Sequence, residues 1–347
     1  MIIKEAKYFP FTLKLKSPFT NASNDITKRS GLILQLEDQQ GNISYGECSP
    51  LPGFSSETLE EAESSLNETV KFLNQSKAIK DFEIPSPLSS VKFAVEQALI
   101  DLVFKQKSGL LKNIPVLSNS QIKVNAVLGF DSTEKILQQI EKKIELGFDT
   151  FKIKVGRDNP YDDFELLELI RNTFGYDIIL RLDANQKWSS DEAIEYLERF
   201  KDYVIEFVEE PCEFTCSTFR TIEESHIPIA LDESIKDMLV EKKTITDCKA
   251  EFLVVKPMIT GGIFSTIRLI ESVKQMGKKT IISSSFESAV GKSALVMLAS
   301  LTNHSFAHGL DTSELFENDL GQDPYVIKNS QISFNASEFP PKISLQN

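Results

Sequence analysis

From about residue 121 the chain repeats one unit, a short apolar run followed by a longer amphipathic one. The apolar runs are VNAVLGF (124–130), TFKIKV (150–155), DIILRLDAN (177–185), VIEFVEE (204–210), PIALDE (228–233), EFLVVK (251–256), KTIISSS (279–285) and SFAHGL (305–310). Runs of this length are read as buried strands, and the segments between them, with apolar residues at helical spacing, as helices. Parallel strands need a crossover connection, so the repeat predicts consecutive βαβ units. Eight units over ~190 residues fit a closed barrel better than an open sheet. An open, doubly wound sheet is the alternative. No GxGxxG follows the first strand to support the nucleotide site such a sheet would carry.

Local signals divide the chain further. Asp131 to Glu134 (DSTE) has a capping-box pattern and predicts a helix ending near Gly147. Helices are also predicted to about Phe174, over Ser190 to Phe200, and near 217–225. Upstream, Tyr8, Phe11, Leu13 and Leu15 partly alternate with polar neighbours, GLILQL (31–36) continues the pattern, and DQQGN (38–42) reads as a hairpin turn. Thr58 to Phe72 and Ser90 to Phe104 read as helices, which makes the N-terminal part a small α+β domain. The stretch after Asp311 either completes a last helix or turns back onto that domain.

Charge and cysteine usage exclude some functions. The formal charge is 38 − 51 = −13, opposite to the basic patch a nucleic-acid partner requires. Cys212 and Cys216 resemble half of a zinc site, but no second Cys/His pair sits at ligand spacing, and Cys48 and Cys248 are isolated. Reduced, packed thiols are expected instead. MIIKEAKYFPF lacks the apolar run of a signal peptide, and no stretch approaches the ~18 apolar residues of a membrane span. A cytoplasmic location is therefore expected.

Charges interrupt the apolar strands at one end. Lys154, Asp183, Glu209, Asp232 and Lys256 are spaced by 29, 26, 23 and 24 residues, so each belongs to a different unit. In a barrel, those C-terminal strand ends meet at one mouth. Any one of these charges could simply face solvent, but five in consecutive units argue for a site. Converging carboxylates repel one another unless a cation joins them, and oxygen ligands suit Mg²⁺ better than zinc. Lys152 and Lys154 lie two apart, hence on one face, and Phe151, Ile153 and Val155 take the other. Ammonium groups so crowded lower each other's pKa, which suits a lysine to act as a base. Alternation does not choose between Glu209 and Glu210, or between Asp232 and Glu233; Ala230 sharing a face with Asp232 is a weak pointer.

At these residues the sequence resembles the enolase superfamily, in its muconate-cycloisomerase-like branch. The motifs are KIK (152–154), RLDAN (181–185), VEEP (208–211), LDES (231–234) and VVKP (254–257), with AVEQALIDL (94–102) similar to a helix of the family's N-terminal capping domain. The resemblance implies a modified (β/α)8 TIM-type barrel, (β/α)7β, over residues 121–312. It also implies a capping domain over 1–120 and a C-terminal segment, 313–347, packed back on it. It implies Asp183, Glu209 and Asp232 as Mg²⁺ ligands, with Asn185, Glu233 and Arg181 orienting them. Lys154 is then the base toward a proton α to a carboxylate, Lys152 its neighbour and Lys256 the opposing lysine. GECSPLPGFSSETLEEA (46–62), SSSFES (283–288) and HGLDT (308–312) resemble the o-succinylbenzoate synthase family within that branch. Ser283, Ser284, Ser285 and Gly309 are then placed to meet a succinyl tail, with the equal alternative that SSSFES is only a turn and helix cap. The polar stretch Thr20 to Lys28 is then expected to fold over the mouth, and its composition equally suits an idle hairpin loop. His226, His304 and His308 are expected to be structural, His308 lying nearest the mouth. Racemases and epimerases of acylated amino acids or dipeptides share these motifs, while a barrel that has lost catalysis is disfavoured by the five intact charges. The implied partner is a small carboxylate substrate; the oligomeric state stays open.

Overall fold

The computed structural model describes residues 2–20, 25–75, 84–106, 114–213, 225–235, 250–312, 315–342 and 345. The first unit is an antiparallel sheet of β1 (Ile3–Thr20), β2 (Asp25–Asp38) and β3 (Ile43–Cys48). The DQQGN turn joins β2 to β3, and Asp38 Oδ1 accepts the amides of Gln40 (2.8 Å) and Asn42 (2.9 Å). Two helices cover the sheet, α1 (Leu59–Gln75) and α2 (Ser89–Gln106). Ala94, Ala98 and Leu102 of α2 belong to this domain's core, whereas Phe93 and Ile100 pack into the core of the next. A helix apolar on all sides is buried on all sides, and α2 is the layer between the two domains.

β4 (Ser120–Lys123) precedes the repeating part. Its strands and helices are β5 (Ala126–Leu128), α3 (Thr133–Glu145), β6 (Thr150–Lys154), α4 (Pro160–Phe174), β7 (Ile179–Asp183), α5 (Ser190–Phe200), β8 (Ile205–Glu209), β9 (Ile229–Leu231), β10 (Phe252–Val255), α6 (Ile263–Gln275), β11 (Lys279–Ile282) and α7 (Ala289–Leu301). β5 to β11 form one parallel seven-stranded sheet in sequence order. The eighth position is held by His308 and Gly309. The Gly309 amide donates to Ile282 O (3.0 Å) on one side, and the Asn125 amide donates to His308 O (3.0 Å) on the other, which closes the barrel.

Several local expectations are corrected. The first barrel helix is capped by Ser132, not by an Asp131–Glu134 box; Ser132 Oγ accepts the Lys135 amide. A complete capping box occurs instead at Ser189 and Glu192 of α5. The expected helix near 217–225 and the residues Cys216 and Cys248 fall at positions largely outside the described residues, as does the tip, 21–24, of the Thr20–Lys28 stretch. The C-terminal segment divides between the two domains. Phe316 bridges to Leu15 in the capping domain, but β12 (Gln331–Phe334) pairs with β4, and Ile332 and Phe334 join the barrel core. No helix among the described residues is long and apolar enough to cross a membrane.

Two apolar layers result. Phe151, Ile153, Leu180, Leu182 and Val208 face the surrounding helices. Phe207, Ala230, Phe252, Val254 and Ile281, with Phe306 against them, fill the barrel interior. The Phe207 and Phe252 rings lie 4.8 Å apart and Phe252 and Phe306 5.0 Å apart. This packed floor lies below the charged strand ends and keeps water from reaching them from underneath.

Candidate active site

Strand alternation carries the interior face from apolar floor to charged mouth. On β8, Phe207 is followed inside by Glu209; on β9, Ala230 is followed by Asp232; on β10, Val254 is followed by Lys256. On β6, Lys152 and Lys154 take the face opposite to Phe151 and Ile153. Lys152 Nζ lies 2.6 Å from Glu209 Oε1 and 2.9 Å from Asp183 Oδ2. Lys256 Nζ is hydrogen-bonded to Asp232 Oδ2. The Asn185 amide N–H donates to Asp183 Oδ1 (3.3 Å), and Asn185 Nδ2 donates to Glu233 Oε1 (2.9 Å). Asp183, Glu209, Asp232, Glu233, Asn185, Lys152, Lys154 and Lys256 thus share one mouth.

The three lysines differ. Burial alone would lower the Lys152 ammonium, but Asp183, Glu209 and Asp232 outweigh it and hold the proton. Lys256 is likewise raised, with Asp232 and Glu233 prevailing over burial. Lys154 makes no ion pair or hydrogen bond among the described residues; its ammonium lies 5.6 Å from the centre of the Phe130 ring. Burial lowers its pKa, and the charges of Lys152 and Lys187 add to that fall against Asp183 and Glu233. Burial pushes the Glu209 carboxyl well up; Lys152 opposes the rise, and Asp183 and Asp232 add to it.

The donor set fits a hard divalent cation. Three buried carboxylates face one another, and two further buried acceptors, Asn185 Oδ1 and Glu233 Oε2, have no hydrogen-bond partner among the described residues. Oxygen-only donors of this kind suit Mg²⁺. The carboxylates are joined here by ammonium groups. Among the described residues no three His, Cys, Asp or Glu side chains form a ready ion cage.

Other expected site residues are placed elsewhere. Arg181 lies one layer below Asp183, where Nε donates to Glu206 Oε2 (2.6 Å) and Nη1 to Asn125 Oδ1 (3.0 Å) and Ala307 O (2.7 Å). It braces the barrel wall, not the carboxylates. Ser283 continues the interior alternation after Ile281 and stands beside Gly309, where an added Cβ would come 2.8 Å from Ser283 Oγ. The Ser284 side chain and the Ser285 backbone are held at the seam with the capping domain, and the buried Ser285 Oγ has no hydrogen-bond partner among the described residues. Ser284 Oγ donates to Glu287 Oε2 (2.6 Å), as does the Ser285 amide (2.7 Å), and buried Arg29 of β2 donates to Ser285 O (3.2 Å). Nearby, Glu47 of β3 accepts the Ser288 (3.0 Å) and Gly291 (2.9 Å) amides at the start of α7. SSSFES is therefore largely the seam that docks the capping domain on the barrel. His308 Nδ1 accepts the Ile282 amide (2.9 Å), and burial holds the ring well below its usual pKa, as a neutral part of the wall. Two aromatic walls escaped sequence reasoning: Phe130 after β5 and Phe54 from the capping domain, whose ring centre is 5.3 Å from Lys256 Nζ. The available sequence signal was Phe130 closing the first apolar run, at the strand end that carries charges in the later units.

Residues 135–338 match the family described as Enolase C-terminal domain-like, and residues 3–102 match the MenC N-terminal domain. The chain belongs to the enolase superfamily. Among the superfamily relatives, the o-succinylbenzoate synthase of Aliivibrio fischeri is 32% identical over 328 residues, covering 92% of this chain and 93% of that protein. The hydrophobic dipeptide epimerase of Enterococcus faecalis is 28% identical, covering 90% and 91%. Among solved structures, the substrate-liganded L-Ala-D/L-Glu epimerase from Bacillus subtilis has a TM-score of 0.84 at 23% identity, covering 96% of this chain and 97% of that one. The dipeptide epimerase from Enterococcus faecalis, complexed with Mg and L-Leu-L-Tyr, has a TM-score of 0.82 at 23% identity, covering 96% and 98%. Likeness at such identity establishes the superfamily fold, a barrel with an N-terminal capping domain.

Proposed function

We propose that the protein is a Mg²⁺-dependent o-succinylbenzoate synthase. Its substrate is then 2-succinyl-6-hydroxy-2,4-cyclohexadiene-1-carboxylate and its product 2-succinylbenzoate, a step of menaquinone biosynthesis. The observation that carries this reading is the asymmetry of the mouth lysines: Lys152 and Lys256 are closed on carboxylates, and Lys154 alone of the three stands unpaired among the described residues. A dehydration needs one base that becomes the acid, and a free lysine between fixed cations suits that task. The relative from Aliivibrio fischeri, similar over nearly the whole chain, supports the same choice.

Asp183, Glu209 and Asp232 would hold Mg²⁺, which supplies positive charge for the substrate carboxylate when bound. Neutral Lys154 takes the proton from the adjacent carbon. Lys152, kept protonated, stabilises the negative charge that moves toward the carboxylate, an effect largest in the transition state. The carbon–oxygen bond at C6 then breaks, and the Lys154 ammonium returns its proton to the leaving hydroxyl as water. Aromatisation of the ring drives the step, and no electrons are exchanged with a co-reactant. Lys256, four strands away around the barrel, serves as a fixed cation on the opposite face. Ser283 and Gly309 are the remaining candidates for the succinyl tail.

Epimerisation of a dipeptide or N-succinylamino acid is the second reading, because Lys154 and Lys256 occupy opposite walls and could act as two bases. It requires Lys256 to leave Asp232 and lose its proton. The assay uses the purified protein with Mg²⁺ in D₂O and offers the cyclohexadiene, an N-succinylamino acid and a dipeptide. The proposed activity gives 2-succinylbenzoate as the fastest product. Fast α-deuteration of the amino-acid substrates with no aromatic product would overturn it.

A further inference from the structure

The second acidic residue after β8 does not enter the mouth. Glu210 has a φ of 41°, a left-handed conformation uncommon for residues with a side chain. The turn takes its carboxylate out of the strand's alternation and under the turns that follow β7 and β9. There it is fully buried. Oε1 accepts the amides of Asp232 (2.7 Å) and Ser234 (2.8 Å). Oε2 accepts Ser234 Oγ (2.8 Å) and Gln186 Nε2 (2.9 Å). Its own amide donates to Ala230 O (3.0 Å), and its carbonyl accepts the Gln186 amide (2.7 Å).

One residue therefore ties together the ends of β7, β8 and β9, the three strands that deliver Asp183, Glu209 and Asp232. The bond to the Asp232 amide acts on a carboxylate-bearing residue directly. With the Ser234 bond it closes a ring around Glu233 and blocks rotation of the peptide planes that would swing the Asp232 side chain. The Gln186 bonds do the same for the turn that begins at Asp183, in which Asn185 and Gln186 also have positive φ of 44° and 61°. These bonds spend a buried carboxylate on the backbone beside three others, where a hydrocarbon side chain would fill the space without adding charge.

We propose that Glu210 is a positioning residue, which fixes the mutual spacing of Asp183, Glu209 and Asp232 for a divalent cation. The inference rests on the Mg²⁺ reading above. Its test is the Mg²⁺ dissociation constant of metal-stripped protein by calorimetry, with a thermal melt for each variant. Partners that orient ligands typically change metal affinity by about 10–100-fold when lost. Glu210→Ala is expected to weaken Mg²⁺ binding by that factor in protein that still melts cooperatively. Glu210→Gln keeps an oxygen for both backbone amides and should stay within about 3-fold of the parent. A role limited to stability would lower the melting temperature and leave the dissociation constant unchanged, which would overturn the proposal; so would a Gln variant as damaged as the Ala variant. If Glu210→Ala does not fold, Glu210→Leu decides, since it fills the space but cannot accept the Asp232 and Ser234 amides: weaker Mg²⁺ binding supports the proposal, and parental binding overturns it. A parent that binds Mg²⁺ but makes no 2-succinylbenzoate sinks the dehydratase reading and leaves this test in force. A parent that binds no Mg²⁺ sinks both.

Discussion

Replacing Lys152 and Lys154 separately by alanine tests which charges of the mouth hold the fold and which are free for chemistry. Lys152 contacts Glu209 and Asp183 at 2.6 and 2.9 Å, and all three side chains are mostly buried, with Glu209 1% exposed. Removing one partner of a buried pair leaves an uncompensated charge and costs about 3–5 kcal/mol. Lys154 has no such partner among the described residues, so its truncation should cost about 1 kcal/mol or less. At roughly 2–4 °C per kcal/mol, Lys152→Ala should melt about 6–20 °C below the parent in EDTA, and Lys154→Ala within about 4 °C of it. Mg²⁺ binding to the native state adds about 2.7 kcal/mol at one hundred times its dissociation constant. It should therefore restore much of the loss in Lys152→Ala, because the cation takes over the ammonium's charge. Differential scanning calorimetry with EDTA and with Mg²⁺ reads all four conditions. A Lys152→Ala protein as stable as the parent in EDTA, or one that Mg²⁺ fails to rescue, refutes the reasoning.

Other predictions follow from individual groups. Lys154 must be neutral to act as a base, and burial lowers its pKa from 10.5; the rate of α-proton removal should rise with pH to a midpoint below that value, and a midpoint at or above 10.5 in the pH–rate profile contradicts the assignment. Glu96 of α2 caps α6 through the amides of Ile263 (2.5 Å) and Phe264 (3.0 Å), and burial pushes its carboxyl up to about 7. The folded state then binds a proton that the unfolded state releases near 4.5, so this group's stabilisation is present at low pH and is lost as pH rises toward 7. Glu96→Gln should flatten that part of the stability–pH curve, by up to about 3 kcal/mol, in urea titrations at several pH values. Gly46→Ala would place a Cβ 1.8 Å from the Ala94 carbonyl oxygen, where β3 meets α2. Backbone cannot yield as a side-chain tip would, so a loss of about 3 kcal/mol or more is expected in the urea midpoint.

The barrel was legible because strand alternation has a period of two and leaves a strong trace when both faces are buried. The same rule put Lys152 and Lys154 on one face and Ala230 with Asp232. It failed to separate Glu209 from Glu210, since neighbours on both faces of β8 are apolar; the answer lay in one positive φ, which no residue type announced. SSSFES was ambiguous for a different reason. Its partners Arg29 and Glu47 belong to the other domain, the latter 241 residues away from Ser288, and no local pattern reports such a contact. The DSTE cap was displaced by one residue because Asp131 and Ser132 are both good caps and tertiary geometry chose Ser132. The return of β12 to β4 was hidden by the shortness of both strands.

The central claim is that Lys154 removes the proton next to the carboxylate. The most direct measurement is the single-turnover rate of 2-succinylbenzoate formation, with Mg²⁺ present, from substrate carrying hydrogen or deuterium at that carbon, in the parent and in Lys154→Ala. The parent should show a primary isotope effect, and the variant, folded and still binding Mg²⁺, should be slower by at least about 10²–10⁴-fold, the usual contribution of a positioned base. A Lys154→Ala protein within 10-fold of the parent rate, by the same yardstick, would contradict the account.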